Sequence, residues 1–503
     1  MTGMGRVVLY QIRLNSLERR ICDAIKDYCG SGVSGQGEPL RPRIAGGWVR
    51  DKLLGLDSED IDVVVNNISG EQFVSGLVEF LRGRDVGKVG SVHKINRNPE
   101  KSKHLETCTT HLFGVPVDFV NLRSERYTED SRIPVVEFGT PLQDAMRRDA
   151  TLNALFYNII EEKVEDFTGS GLKDLSEGVL RTPILPQQTF KDDPLRILRL
   201  LRFASRFSFV LDPEALEAMK QEDIHRMLET KVSRERVGVE VHKILISKSP
   251  LCGIKLMLDA GLMRHVFSYM GGASSTALDN CYKRMISGGY KLVGNLTHVI
   301  AGYPLLGTWY EDCNFREHML LSLILAPFNE LYASKHSRKG SSALGRIIKD
   351  SLRYPKLSVE LVELIVGSLN EYHECVINHA SWPRSRVGEV IRKLKGHWEL
   401  CHCVTLTHIF LEGDNLEGET LVDLTDKYQR FENFVKDNGL TDVHNLKPLI
   451  DGKEIAKLYN IRGGPWMSTL MHDILMWQMD HPESSKDQLI SWMLPLKDKY
   501  LSP

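Results

Sequence analysis

Two short motifs carry the chemistry that the residues of this chain could perform. Gly46-Gly47-Trp48-Val49-Arg50-Asp51 is followed, nine residues after Asp51, by Asp60-Ile61-Asp62. A Gly-Gly turn with a following arginine can hold a triphosphate, since backbone amides and a guanidinium both suit phosphate oxygens. The run Ile61-Asp62-Val63-Val64-Val65 is rich in β-branched residues and predicts a strand. Alternation along a strand then turns Asp60 and Asp62 to the same side. Two carboxylates that close repel unless a cation lies between them. Hard oxygen ligands beside a phosphate suit Mg²⁺. A pair of such ions serves in-line phosphoryl displacement, so the predicted chemistry is nucleotidyl transfer. Each motif alone has an ordinary explanation: a Gly-Gly turn is usually a connection, and Asp-x-Asp a solvated strand edge or turn. Their order, the arginine between them and the strand after them favour the functional reading.

Further clusters fit the same chemistry. Asp118 lies between Val117 and Phe119 in a second predicted strand, Val115–Val120. It faces either solvent or the Asp60–Asp62 pair, where it would complete a three-carboxylate metal site, and only strand register decides between them. Arg123 follows in the same run. Arg147-Arg148-Asp149-Ala150-Thr151-Leu152-Asn153-Ala154 offers two guanidinium forks for phosphate or ribose contacts, or simply a helix start with Asp149 near its cap. Asp166-Phe167-Thr168-Gly169-Ser170-Gly171-Leu172-Lys173-Asp174-Leu175 reads as a turn-rich hinge.

In Asp192-Asp193-Pro194-Leu195-Arg196, Asp193 reads as a helix N-cap and Pro194 as the first helical position. Arg196, Arg199 and Arg202 then recur every three residues. A basic solvent face over a Leu/Ile core face accounts for the leucines but not for three arginines in succession. Base edges account for more. A carboxylate accepts from the exocyclic amine of cytosine or adenine, and an arginine donates to the adjacent ring nitrogen of either. Asp193 and Arg196 could together read C and A. Uracil would set a carbonyl against the carboxylate, and guanine a carbonyl and an N–H in the wrong places. Such bidentate contacts discriminate by roughly 1–3 kcal/mol each.

The elements that must position these residues begin with an amphipathic helix over 14–29 and a glycine-rich loop over 30–37. Strands and helices alternate to about residue 120, with a helix over Gln72–Leu81 and a polar loop over Lys94–Lys103. After about residue 140 helical periodicity dominates, and 208–503 reads as all-helical. The predicted architecture is an α/β head with a mixed sheet and flanking helices (1–153), followed by an elongated all-α neck (154–250), body and tail (251–503). At 503 residues, 42% hydrophobic and 26% charged, this is a multidomain globular chain. No apolar run approaches the roughly 18 residues of a membrane span. The net charge of -2 and pI of about 6.8 require any nucleic-acid partner to meet a local basic surface. Nine scattered cysteines fit a reducing compartment, cytoplasm and nucleus. Arginines at 6, 13, 19 and 20 with no acid before Glu18 add the mitochondrion as a further candidate. Cys401-His402-Cys403 with His408 lacks zinc-site spacing and reads as buried thiols.

The motifs taken together, with Val117-Asp118-Phe119-Val120-Asn121-Leu122-Arg123, resemble the class II CCA-adding tRNA nucleotidyltransferases, the fungal members most closely. The resemblance covers roughly residues 44–245. Ser233-Arg234-Glu235-Arg236-Val237-Gly238-Val239-Glu240 resembles the family's last motif, a helix bracing head against neck. The segment 98–103 resembles its flexible loop, and Gly464-Pro465-Trp466 its fungal tail. The resemblance implies that Asp60 and Asp62 ligate two Mg²⁺ ions, with Asp118 as third carboxylate. Gly47 and Arg50 would contact the triphosphate, and Arg148, Asp193, Arg196, Arg199 and Arg202 the incoming CTP or ATP. The tRNA 3′-hydroxyl would attack the α-phosphate and pyrophosphate would leave. Body and tail would hold the acceptor end and upper arm of tRNA, with no membrane partner and the oligomeric state left open. The family's template motif often begins with Glu where this chain has Asp192. Three readings compete: a specialist adding only CC or only the terminal A, a bacterial-type poly(A) polymerase, and a non-catalytic RNA-binding protein on the same scaffold. The last segment, Lys497-Asp498-Lys499-Tyr500-Leu501-Ser502-Pro503, is not the basic extension of the second. Intact Asp60, Asp62 and Arg50 argue against the third.

Overall fold

The computed structural model describes residues 11–32, 39–58, 60–84, 90, 93–95, 107–128, 131–270, 275–329, 331, 342–413 and 420–501. The chain divides into two units, Met1–Ser268 and Tyr269–Pro503.

The first unit is built on a seven-stranded mixed sheet of order β3-β4-β5-β2-β1-β8-β9. Its strands are β1 (Arg43–Ala45), β2 (Ile61–Val65), β3 (His93–Ile95), β4 (Thr107–Leu112), β5 (Val115–Asn121), β8 (Leu155–Asn158) and β9 (Lys163–Asp166). A separate hairpin joins β6 (Arg123–Thr128) to β7 (Ser131–Phe138). Only β2 and β5 run parallel within the main sheet; the other pairs are antiparallel. Helix α1 (Ser16–Gly30) starts at Asn15, whose side chain caps the first turn while Glu18 reaches back to the Asn15 amide. Helix α2 (Gly47–Leu53) follows the Gly-Gly turn, and α3 (Gly70–Arg82) is capped reciprocally by Ser69 and Gln72. These caps place the helices one or two residues from the bounds the periodicity predicts.

Alternation sorts the two central strands cleanly. Ile61, Val63, Val117 and Phe119 are buried. Phe119 meets Phe73 of α3 at 5.6 Å between ring centroids, and Phe73 meets Tyr28 of α1 at 5.4 Å. The opposite face of the same strands carries Asp62, Val64, Asp118 and Val120. One sheet face is thus spent on core, which frees the other for polar work.

The predicted boundary at 153 falls inside this sheet. Strand β8 pairs with β1, and β9 with β8, so the sheet continues to Asp166. Leu155, Phe156, Tyr157 and Asn158 are all buried, and a strand buried on both faces shows no alternation to separate it from a buried helix segment. The predicted loop over Lys94–Lys103 begins within β3; its residues 96–103 lie outside the described residues, as do 33–37 of the glycine-rich loop. Beyond the sheet come α4 (Pro141–Met146), α5 (Gly171–Glu177), α6 (Pro186–Asp192), α7 (Leu195–Phe207), α8 (Pro213–Met219), α9 (Glu222–Lys231), α10 (Arg234–Leu245), α11 (Pro250–Asp259) and α12 (Met263–Val266). The all-helical reading from 208 is interrupted once, where Val210–Leu211 pairs with Val179–Leu180. In α7, Ile197, Leu198, Leu200, Leu201 and Ala204 are buried, and the helix packs on α10 and α11.

The second unit is helical throughout its described residues, including Thr276–Gly302, Lys356–Asn378, Trp398–Leu411 and Leu421–Asp437. His402 is fully buried, with Nε2 3.0 Å from the Tyr303 hydroxyl and Nδ1 3.1 Å from that of Tyr372. Burial holds the His402 ring neutral, down at about 3, and pushes the Cys401 thiol up to about 12. These are packed groups rather than metal ligands, as the spacing implies. Pro465 precedes the helix Trp466–Asp480, and Trp466 stacks on Tyr459 at 5.8 Å. No described helix is long and apolar enough to cross a membrane.

Truncating Phe119 to alanine should cost the first unit roughly 3–5 kcal/mol, the usual toll of a cavity left by a buried aromatic. Denaturant unfolding checks this; a loss under about 1 kcal/mol would mean that the face behind the carboxylates is not a packed core.

Candidate active site

The cleft is floored by the polar side of the sheet. Ala45 ends β1, and the chain turns at Gly46 with φ 76 and ψ -129, a conformation that only glycine adopts readily. A β-carbon on Gly46 would also come within 2.8 Å of Arg148 Nη1. The first glycine of the motif is therefore required twice, by backbone and by the arginine seated over it.

Register settles the carboxylates. In the parallel β2–β5 pair, Asp62 lies directly opposite Asp118. The Thr109 hydroxyl, opposite Asp118 on β4, donates to Asp118 Oδ1 at 2.5 Å. Asp62 is exposed on the cleft, with protein atoms crowding its other sides. That crowding, then the charge of Asp118, pushes it up to about 6; Arg148 opposes the rise and Asp60 adds to it. Asp60 precedes β2 and is exposed. The three carboxylates do not form a closed cage with all ligand atoms within 4.8 Å, as Glu222, His225 and His265 do elsewhere. An open set of hard oxygen donors, one of them raised by crowding and by a neighbouring carboxylate, fits a divalent cation that takes its remaining ligands from phosphate.

Every arginine of the cleft is held by a carboxylate or amide oxygen. Arg50 is buried: Nε donates to Asp51 at 2.7 Å and Nη1 to the Asn153 side chain at 2.6 Å. Its guanidinium lies 5.2 Å and 4.8 Å from the ring centroids of Phe203 and Phe207. These contacts tie α2 to α7 behind the glycine turn, and Arg50 still lines the cleft. Asp144 takes both Arg147 and Arg148, at 2.5 Å and 2.8 Å. Burial alone would raise Asp144, but these two guanidiniums bring it down to about 2. Asp149 accepts from Arg199 at 2.7 Å and from Asn153 at 2.8 Å. Against its burial, Arg199, Asn153 and Arg196 hold it well below the usual carboxyl range. Arg202 donates to Glu240 at 2.6 Å, and Arg236 to Asp193 at 3.4 Å. Glu125 on β6 pairs with Arg123 at 2.7 Å and Arg147 at 3.1 Å, with Arg196 3.8 Å away.

Asp193 Oδ1 accepts the Leu195 amide at 3.1 Å, and Pro194 has helical dihedrals, so the predicted cap chemistry holds although regular α7 starts at Leu195. Asp149 lies between helices rather than at a helix start: Arg147 and Arg148 close α4, and Thr151–Asn153 is a single 3₁₀ turn. Asp166 and Thr168 together accept the amides that open α5, and Gly171 approaches so closely that a β-carbon would meet Thr151 O at 2.7 Å.

The resulting cleft has a volume of about 500 Å³. Of the residues singled out by sequence, Gly47, Arg50, Asp62, Arg148, Asp193, Arg196, Arg199 and Arg202 line it; Asp60 and Asp118 do not, standing at the carboxylate edge. Eight arginines line the cleft, counting also Arg123, Arg147 and Arg236, against Asp62, Asp149 and Asp193. Such a surplus of fixed positive charge beside a carboxylate pair suits a polyphosphate. Asn153 and Phe203 were not singled out. Asn153 lies in a cluster already noted for its arginines, and Phe203 reads as ordinary helix core.

Two family descriptions match the first unit: the poly A polymerase head domain over residues 42–181, and a probable RNA and SrmB-binding site of polymerase A over residues 208–271. A mitochondrial CCA tRNA nucleotidyltransferase of Saccharomyces cerevisiae is 42% identical, the match covering 98% of this chain and 95% of that protein. The chain belongs to the CCA tRNA nucleotidyltransferase family. The mitochondrial family member of Candida glabrata is 41% identical over 98% of this chain and 97% of its own length. A solved CCA-adding enzyme in its apo form shares the fold, with a TM-score of 0.65 and 22% identity over 96% of each chain. Membership of the CCA tRNA nucleotidyltransferase family thus extends beyond the motif-bearing head to the helical remainder.

The raised Asp62 makes a pH prediction. Between its ordinary value of 3.8 and about 6, the folded chain keeps a proton on Asp62 that the unfolded chain has released. This group's contribution to stability is therefore largest below pH 4 and falls as pH rises through 6. In EDTA, wild type should lose stability relative to Asp62→Asn across that window, and Mg²⁺ should narrow the gap. Thermal melts of both proteins between pH 4 and 7 check this; a gap that does not change with pH refutes it.

Proposed function

We propose that this chain adds C, C and A to the 3′ end of tRNA from CTP and ATP, without a nucleic-acid template, in tRNA maturation and repair. The observation that carries the reading is the Asp62–Asp118 pair at the foot of an arginine-lined cleft, in a member of this family. The tRNA 3′-oxygen forms a bond to the α-phosphorus, the α–β phosphoanhydride breaks, the hydroxyl proton is lost, and pyrophosphate leaves. Asp60, Asp62 and Asp118 would hold two Mg²⁺ ions, which when bound neutralise phosphate charge and acidify the attacking hydroxyl. Gly47, through its backbone, and Arg148 contact the triphosphate. Arg50 is a positioning residue for that turn. Asp193 and Arg196 read the base edge, while Arg199 and Arg202 flank the nucleotide. Arg236 holds the Asp193 carboxylate in place from α10, at 3.4 Å. The helical second unit holds the acceptor end and upper arm of tRNA, and its phosphate contacts make binding salt-sensitive. We further propose a mitochondrial pool of the protein, on the strength of its two mitochondrial relatives.

Single-nucleotide incorporation decides between a complete enzyme and a specialist. Three tRNAs, ending before CCA, after C and after CC, are each given CTP, ATP or both with Mg²⁺. The first should grow to full CCA with both nucleotides, and Asp62→Ala should bind tRNA as wild type does but incorporate nothing. Arrest after CC, or extension of the third substrate alone, would replace this reading with that of a CC-adding or A-adding enzyme. On the same substrates, Asp193→Ala should relax rejection of UTP and GTP by about ten- to a hundredfold, the worth of one bidentate base contact. Undiminished rejection would remove Asp193 from base selection.

A further inference from the structure

A second group of ligating side chains sits in α9 and α12, and none of its members lines the cleft. His225 is buried. Its Nε2 lies 2.7 Å from Met219 O and 3.0 Å from Ala260 O. Carbonyl oxygens only accept, so Nε2 carries the hydrogen, and Nδ1 of the neutral ring is left with its lone pair. Nδ1 is 3.9 Å from a carboxylate oxygen of Glu222, one helical turn earlier and exposed. That separation is too long for a hydrogen bond. His265, on α12, presents Nδ1 to Glu229 Oε1 at 2.9 Å, which in the neutral ring leaves Nε2 as its lone-pair nitrogen. The two rings are 4.6 Å apart at their centroids. One ligand atom from each of Glu222, His225 and His265 falls within 4.8 Å of the others.

The ring hydrogen of His225 is thus turned outward, to two carbonyls, and one ligand atom of each of the three residues lies close to those of the other two. Acceptors facing acceptors repel; a cation between them reverses the sign. Outer hydrogen bonds from the far ring nitrogens to carbonyls and carboxylates are also how metal-bound histidines are oriented. Two imidazoles and one carboxylate suit a borderline-soft divalent ion such as Zn²⁺ better than Mg²⁺. Around a tetrahedral Zn²⁺ such atoms stand about 3.3 Å apart. Reaching that spacing from within 4.8 Å takes movement of the exposed Glu222 side chain and of the two rings.

We propose that Glu222, His225 and His265 form a Zn²⁺ site that clips α9 to α12. The ion supplements the packing between α9 and the four-residue helix α12 and leaves the Mg²⁺ chemistry of the cleft untouched. Zn²⁺ titrated calorimetrically into metal-stripped full-length protein, with Mg²⁺ present, should reveal one ion per chain that raises the melting temperature. Affinity should fall at least tenfold in His265→Ala and in Glu222→Gln, and stay unchanged in Asp62→Asn. Co²⁺ in place of Zn²⁺ should give the visible bands of a four-coordinate site, lost in His265→Ala. If His265→Ala unfolds, Glu222→Gln decides alone, since it alters only an exposed side chain. Equal Zn²⁺ affinity in wild type and Glu222→Gln would overturn the proposal, as would binding lost in Asp62→Asn instead.

Discussion

The register of β2 against β5 forces two carboxylates side by side, and much of the head is arranged around that juxtaposition. Neighbouring strands hold opposed side chains about 5 Å apart, where two like charges cost on the order of 3 kcal/mol at the effective dielectric of a protein surface. The pair persists because the other face of the same strands is paid for in core: Val63, Val117 and Phe119 are fully buried. A slip of one residue in β2 would turn Asp62 into that core and Val63 into the cleft, and a slip in β5 would do the same to Asp118 and Phe119. The apolar residues therefore fix the position of the acids.

The arginines present the same problem with the opposite sign. Eight guanidiniums around one cleft would repel and splay if each were free. Their partners come from elements other than the cleft floor: Asp144 from α4, Asp149 from the link after it, Glu125 from β6 and Glu240 from α10. Removing one partner from such a buried pair costs roughly 3–5 kcal/mol, because the survivor is left charged and dry. The pairs also leave each fork with an orientation before any ligand arrives. An anion entering the cleft meets charge that needs little rearrangement, the condition under which fixed dipoles and charges contribute most to a transition state.

Sequence reading reached the residues proposed to touch a ligand more readily than those that aim them. Asp60, Asp62, Gly47 and the arginines of α7 stand in short runs with a chemical logic of their own. Asp118 was legible as a candidate, but its position opposite Asp62 depends on pairing between strands fifty-odd residues apart, which no local pattern encodes. Glu125 and Asp144 carry no spacing signature, since a brace need only arrive from some other element within reach. Arg50 belongs to both groups. Its motif marks it for phosphate, yet Asp51, Asn153 and two phenylalanine rings take up its fork. Strands β8 and β9 escaped for a different reason: buried on both faces, β8 lacks the alternation that separates a strand from a helix core.

The helix α10 connects these observations. Its Arg236 reaches Asp193 at the start of α7, and its Glu240 reaches Arg202 two turns further along α7. Both ends of the arginine-bearing stretch are therefore tied to one neighbouring helix, and Ile197, Leu200, Leu201 and Ala204 pack the length between. On the proposed reading, in which Asp193 and Arg196 meet the base edge, α10 steadies Asp193 through Arg236. Cytosine and adenine share one donor–acceptor pair on that edge, so on this proposal a single rigid arrangement would accept both, and the choice between them would need no rebuilding of the reader. What must differ between the two additions is then the room left for a one-ring or a two-ring base, a property of the growing tRNA end and of the cleft walls rather than of the two residues that read.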